Sequence, residues 1–202
     1  MANLKVAVFA SGNGSNFQAL ADAAREGRLG AEIRLVVCDR PDAAVVKRAE
    51  AAGIPTYVFR PRDYPSREAY EREILAELER LGIGLVVLAG YMRILTRVLV
   101  DAYAGRMINI HPSLLPAFPG MNAVRQALDY GVKVTGVTVH FVDSGVDSGP
   151  IIAQEALAVE ERDTEETLAE RIHRIEHRLL PEVVRKIADG RVRLDGRRVF
   201  VE

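Results

Sequence analysis

The run Asn109-Ile110-His111-Pro112-Ser113-Leu114-Leu115-Pro116 sets an amide and an imidazole two residues apart, just ahead of a proline-bounded loop. Arg106 to Ile108 reads as strand, and side chains alternate faces along a strand, so Asn109 and His111 project together. An amide donor beside an imidazole can hold a developing oxyanion and move a proton. The same pair could do no more than satisfy the backbone of the loop that follows. A separate candidate for chemistry, Asp147, sits in the Asp/Ser/Gly-rich loop 143–149, where acidic residues are commonly solvated turn formers. His140, near the end of the preceding apolar run, reads as an inward, hydrogen-bonded structural histidine.

Two more segments could meet a ligand. Ser11-Gly12-Asn13-Gly14-Ser15-Asn16 follows the first apolar run and precedes a helical pattern. Its glycines let backbone approach a ligand, Ser15 and Gln18 have capping-box spacing, and a helix N-terminus attracts anions. Phe17 stands where a dinucleotide fingerprint needs Gly or Ala, and no Gly-Lys-Ser/Thr makes a P-loop, so a phosphate without a nucleotide fits better. Gly90-Tyr91-Met92-Arg93-Ile94-Leu95, after another apolar run, offers an apolar slot with backbone donors, or plain core packing.

These groups need a scaffold, and the pattern supplies one. Lys5 to Ala10, Glu32 to Cys38, Pro55 to Phe59 and Gly84 to Ala89 read as strands, with helical stretches over Phe17 to Glu26 and Arg67 to Leu81. Apolar strands alternating with helices predict a Rossmann-like open, mostly parallel twisted sheet covered on both faces. Val132 to Val142 and Pro150 to Ala158 predict antiparallel strands in the second half. A helix capped by Asp163 with Glu166 should follow, its apolar face being Leu168, Ile172, Ile175 and Leu179, and Pro181 should kink or interrupt it. Asp195-Gly196 between β-prone runs predicts a terminal hairpin.

The 202 residues suggest one domain, and 49% hydrophobic content supports a buried core. Lys+Arg 27 against Asp+Glu 28 leaves a net charge of −1, which argues against a nucleic-acid partner. Cys38 is the single cysteine, so no internal disulfide or cysteine metal cluster is available, and its valine neighbours predict a core position. No signal-peptide core or membrane-length apolar run is legible, so a cytoplasmic protein with no membrane partner is expected.

Together, Ser-Gly-Asn-Gly-Ser-Asn (11–16), Ser-Arg-Glu-Ala-Tyr (66–70), Ala-Gly-Tyr-Met-Arg-Ile-Leu (89–95), Asn-Ile-His-Pro-Ser-Leu-Leu-Pro (109–116), Thr-Val-His-Phe-Val (138–142) and Val-Asp-Ser-Gly-Pro (146–150) resemble the folate-dependent phosphoribosylglycinamide formyltransferases over nearly the whole chain. The resemblance implies a single formyltransferase domain over 1–202, with a phosphate-binding half (1–100) and a folate and catalytic half (101–202). It implies that Asn109, His111 and Asp147 are the catalytic trio. Gly14, Ser15 and Asn16 match the turn holding the 5′-phosphate of glycinamide ribonucleotide, and Glu176 a residue near its ribose. His173 matches a contact position that varies among relatives. Met92, Arg93, Ile94 and Leu95 match the pterin slot, with backbone groups reading the ring. Asp143 to Asp147 match its opposite wall, and Arg67 a position near the folate's glutamate tail. Asn122, where some members carry histidine, is assigned no catalytic role.

The implied reaction passes the formyl group of 10-formyltetrahydrofolate to the ribonucleotide's amine, without metal, in a monomer or homodimer. Asn109 and His111 would donate to the tetrahedral oxyanion, while Asp147 tunes His111 and assists proton transfer. Methionyl-tRNA formyltransferases, formyltetrahydrofolate hydrolases and a non-catalytic phosphate-binding module are the competing readings. The first is expected to need a further C-terminal domain and a basic surface, against the stop at Glu202 and balanced charge, and the second an N-terminal regulatory domain, against a first strand expected from about Leu4. The third has no use for the trio.

Overall fold

The computed structural model describes residues 3–202. Its strands are β1 (Leu4–Phe9), β2 (Ala31–Cys38), β3 (Thr56–Val58), β4 (Leu85–Leu88), β5 (Met107–His111), β6 (Val134–Phe141), β7 (Ile151–Ala158), β8 (Val192–Asp195) and β9 (Arg198–Val201). The helices are α1 (Ser15–Arg25), α2 (Ala44–Ala51), α3 (Arg67–Arg80), α4 (Arg97–Ala102), α5 (Ala123–Tyr130) and α6 (Glu165–Ala188). One seven-stranded sheet runs in the order β3-β2-β1-β4-β5-β6-β7, and β8 and β9 form a separate hairpin. Strands β1 to β5 pair in parallel, whereas β6 is antiparallel to both its neighbours. The mostly parallel sheet with antiparallel strands in the second half is thus as the sequence predicts.

The burial pattern explains that division. The central strands are apolar on both faces (Val6, Ala7, Val8 and Phe9 on β1 are all fully buried), as parallel strands between two helical layers must be. One core layer packs Phe17 and Leu20 of α1, Val45 of α2, and Leu168, Ile172 and Val184 of α6 on Val6, Val8, Val87 and Ile108. The other packs Tyr70, Ile74 and Leu78 of α3 and Leu99 of α4 on Ala7, Phe9, Val86 and Met107. Strand β7 at the sheet's edge alternates between more and less exposed residues instead.

Two local expectations are corrected and a third, at Pro181, is narrowed. The N-cap of α1 is Gly14 at φ +79, with no side-chain cap, so Ser15 is already the first helical residue and no Ser15–Gln18 capping box forms. A Cβ at Gly14 would lie 2.6 Å from the Val45 Cβ, so glycine is required by both conformation and space. Helix α6 is capped by Thr164 with Thr167 rather than by Asp163 with Glu166. Asp163 instead accepts hydrogen bonds from the Thr167 hydroxyl and the Glu160 N–H. Pro181 lies inside α6, which continues as one 24-residue helix. The proline forfeits a bond to the His177 carbonyl, and burial of Leu179, Leu180, Pro181, Val183 and Val184 holds the turn.

Candidate active site

The sheet order reverses between β1 and β4, and open α/β sheets bind ligands at such a point, beyond the carboxyl ends of the strands. The turn 10–14 leaves β1 there, and segment 89–96 leaves β4. The register sets Phe9 beside Leu88 and Leu88 beside Asn109. With strands about 4.8 Å apart, Asn109 lies only about 10 Å across the sheet from Phe9.

Asn109 and His111 share the face of β5 that carries Met107, but beyond the reach of α3 and α4, where loops cover the sheet. The antiparallel register puts His140 opposite Asn109 and Thr138 opposite His111. The Asn109 Nδ2 lies 3.2 Å from His140 Nε2 and 3.4 Å from Asp147 Oδ1. The His111 Nδ1 is 3.4 Å from Asp147 Oδ2, and its Nε2 is 2.8 Å from the Phe118 carbonyl oxygen. Asp147 Oδ2 also accepts the Gly120 N–H at 2.7 Å. Asp147 itself has φ +50, a left-handed conformation that turns its carboxylate back toward β5. The trio singled out in the sequence therefore meets around one carboxylate, and His111 is only 5% exposed.

The covering loop is fixed from beneath. Thr138 donates to the Ser113 carbonyl at 2.7 Å and accepts the Leu115 N–H at 3.1 Å, while Gln154 donates to the Leu115 carbonyl at 2.8 Å. His140 is the inward, hydrogen-bonded histidine expected from sequence, and one of its partners is Asn109, with Asp147 3.8 Å away. Burial pushes its pKa below the usual imidazole value, against the pull of the Phe141 carbonyl and Asp147. A neutral ring there can accept from the Asn109 amide.

At the α1 terminus, the Asn16 amide donates to Glu176 Oε2 at 3.2 Å, and Ser15 Oγ lies 3.0 Å from His177 Nε2. Glu176 is 5% exposed, and burial raises its pKa against the pull of His173 and Asn16. Burial lowers that of His177, with the His173 and Arg48 charges adding to it. His177 escaped the sequence reading because only its spacing from Glu176 on the helix could have pointed to it. His173 stacks on His177, with ring centroids 6.2 Å apart.

Segment 91–96 exposes Met92 (54%) and Ile94 (66%) while buried or helical residues hold its backbone. The Arg93 Nε pairs with buried Asp39 at 2.8 Å, so its side chain is committed to the scaffold. Arg67 donates to the Ile94 carbonyl at 3.1 Å, and buried Glu71 accepts from the Thr96 N–H and hydroxyl, at 2.9 and 2.6 Å. Asp39 and Glu71 were silent in the sequence, since neither belongs to a motif. Asp143 accepts from the Gly145 N–H and Ser148 hydroxyl, shaping the loop that carries Asp147. Asn122 takes φ +58 as the N-cap of α5. Among the described residues, no group of three or more His, Cys, Asp and Glu side chains is arranged to hold a metal ion.

A doubly wound sheet with an amide, an imidazole and a carboxylate converging beyond β5 is consistent with acyl-group transfer, and a family model described as Formyl transferase matches residues 4–184. The chain belongs to the formyl transferase family. Within it, the chain is 51% identical to phosphoribosylglycinamide formyltransferase of Bacillus subtilis (strain 168), over 91% of this chain and 94% of that one. It is 41% identical to phosphoribosylglycinamide formyltransferase of Escherichia coli (strain K12), over 97% and 96% of the two chains. The crystal structure of glycinamide ribonucleotide transformylase 1 from Symbiobacterium toebii superposes with a TM-score of 0.96 at 48% identity, covering 98% of this chain and 94% of that one.

Proposed function

We propose that this chain transfers the formyl group of 10-formyltetrahydrofolate to the amine of glycinamide ribonucleotide, a step of purine biosynthesis. The reading is supported by similarity, along almost the whole chain, to relatives named for that activity. The observation that carries it is the placement of three groups at one sheet edge. They are the α1 turn against Glu176, the exposed segment 92–95, and Asn109 with His111 around Asp147.

The roles follow from the donors each place offers. Gly14, Ser15 and Asn16 present first-turn N–H groups to the phosphate, and Glu176 takes the ribose hydroxyls. Met92, Arg93, Ile94 and Leu95 form one wall of the folate slot. The Met92 N–H and the Ile94 carbonyl are already engaged, so the remaining backbone groups read the ring. Asp143 and Asp147 belong to the opposite wall, and Arg67 lies toward the glutamate tail. Asn109 Nδ2 and the His111 ring donate to the oxygen that gains charge as the amine adds to the formyl carbon, and His111 must exchange its Phe118 contact to do so. Asp147 holds His111 and takes part in moving the proton from the amine toward the departing folate nitrogen. Each donor is worth about 3–4 kcal/mol in such sites. The two substrates are small molecules, and the protein acts in the cytoplasm as a monomer or homodimer. No helix among the described residues is long and apolar enough to cross a membrane.

The test is a product assay with 10-formyltetrahydrofolate, with and without the ribonucleotide. Tetrahydrofolate released only in its presence, with formylated product by mass, is the expected result. Release that ignores the ribonucleotide would make the protein a hydrolase, and no release would overturn the reading.

A further inference from the structure

Ser11 stands between the places proposed for the two substrates and is 1% exposed. It follows β1 and opens the Gly12–Asn16 turn, yet its polar groups reach sideways to the segment after β4. Its N–H donates to the Gly90 carbonyl at 3.0 Å, and its Oγ accepts the Met92 N–H at 2.9 Å. Gly90, at φ +81, bends the chain between these two bonds. On the far side, α2 grips the turn. The Val45 N–H donates to the Gly12 carbonyl at 3.1 Å, and Arg48 reaches the Asn13 carbonyl at 2.8 Å and its Oδ1 at 3.0 Å. The turn is thus joined to α2 on one side and, through Ser11, to the Met92 N–H on the other. The other ties on segment 91–96 lead to Asp39 after β2 and to Arg67 and Glu71 on α3. The Ser11 bonds lead to the phosphate turn.

We propose that Ser11 couples the two substrate sites. A phosphate on Gly14–Asn16 fixes the turn, and the Ser11 hydroxyl then fixes Met92, aligning the backbone groups from Arg93 to Leu95 that meet the folate. Ser11 touches neither substrate and is a positioning residue. This coupling rests on the formyl-transfer reading, and its test separates the two.

Tetrahydrofolate carries no formyl group, so it forms a ternary complex with glycinamide ribonucleotide without turnover. Calorimetry on the whole protein gives the tetrahydrofolate Kd with and without saturating ribonucleotide. One hydrogen bond's worth of coupling makes binding about three- to tenfold tighter with the ribonucleotide present. In Ser11→Ala that ratio falls to about one, while the ribonucleotide's own Kd changes less than about twofold. Turnover should show the loss in KM for the folate rather than in kcat. Ser11→Thr, which keeps the hydroxyl, restores the ratio even where its added methyl lowers Tm, an outcome that simple packing would not give. If Ser11→Ala does not fold, Ser11→Cys replaces it, its poorer acceptor giving an intermediate ratio. A ratio that survives loss of the hydroxyl, or a wild-type ratio of one, overturns the coupling. Wild-type protein that binds neither compound overturns the formyl-transfer reading, and the coupling with it.

Discussion

Both ring nitrogens of His111 face acceptors, the Phe118 carbonyl at 2.8 Å and the Asp147 carboxylate at 3.4 Å. Replacing Asp147 by asparagine removes the charge and keeps the shape, at the loss of the long contact from the Asn109 amide. Asparagine tolerates the left-handed φ +50 of this position, and its carbonyl can still accept the Gly120 N–H. Asp147→Asn should therefore leave the far-UV spectrum and Tm close to wild type while kcat falls about 10²–10⁴-fold, the range typical of acid–base assistance. His111→Ala should show a comparable loss. Stopped-flow or steady-state assays decide it, and a variant with near-normal kcat would remove that side chain from the proposed chemistry.

At the scale of elements, α1 invites a substitution whose two effects have opposite sign. Ser15 is the first residue of the helix, where a carboxylate favours the helix dipole by about 0.3–1 kcal/mol. Ser15→Asp should hold or raise Tm, yet repel a phosphate on the same turn and weaken ribonucleotide binding more than tenfold. An unchanged Kd would take the phosphate away from Gly14–Asn16. The β8–β9 hairpin lies beyond the residues matched by the family model, and its Arg197 donates to the Ser148 carbonyl at 2.6 Å, next to Asp147. Arg197→Ala should lower kcat about two- to fivefold by loosening that loop, as one exposed hydrogen bond allows, whereas an unaltered rate would make the hairpin a bystander. The strands and the longer helices were legible because apolar periodicity records which face is buried, and the Asp195-Gly196 turn because its chemistry is local. The caps misled because Ser15–Gln18 and Asp163–Glu166 have the right spacing, while Val45 crowding Gly14 and the Thr164–Thr167 pair decide the outcome. Asn109, His111 and Asp147 could be picked out from motifs. The contacts that His140 and the Phe118 carbonyl make with them, and that Ser11 makes with Met92, could not, because strand register and loop path, absent from any single segment, bring those groups together.

Across the whole molecule, the groups at the sheet's carboxyl edge make stability and pH pull against each other. Burial raises the Glu176 pKa, so its contribution to stability is full below its unfolded value of about 4.3 and is lost as pH rises through the folded value. Burial lowers those of His140 and His177, so theirs is full above about 6.5 and is lost as pH falls toward the folded values. As pH rises the two trends act with opposite sign, so each partly masks the other in the wild-type curve. Removing one side should unmask the other. Glu176→Gln keeps an acceptor for the Asn16 amide but no longer forces a buried carboxyl to ionise, so it should raise Tm at pH 8 and steepen the rise of Tm with pH. Each tenfold in proton affinity is worth about 1.4 kcal/mol, or roughly 3–6 °C in a chain of this size. His177→Gln should do the reverse, flattening the acid side. Thermal melts from pH 5 to 8 on the three proteins test both. If Glu176→Gln melts below wild type at pH 8, the buried carboxylate stabilises the fold, and the view that this edge trades stability for substrate binding is wrong.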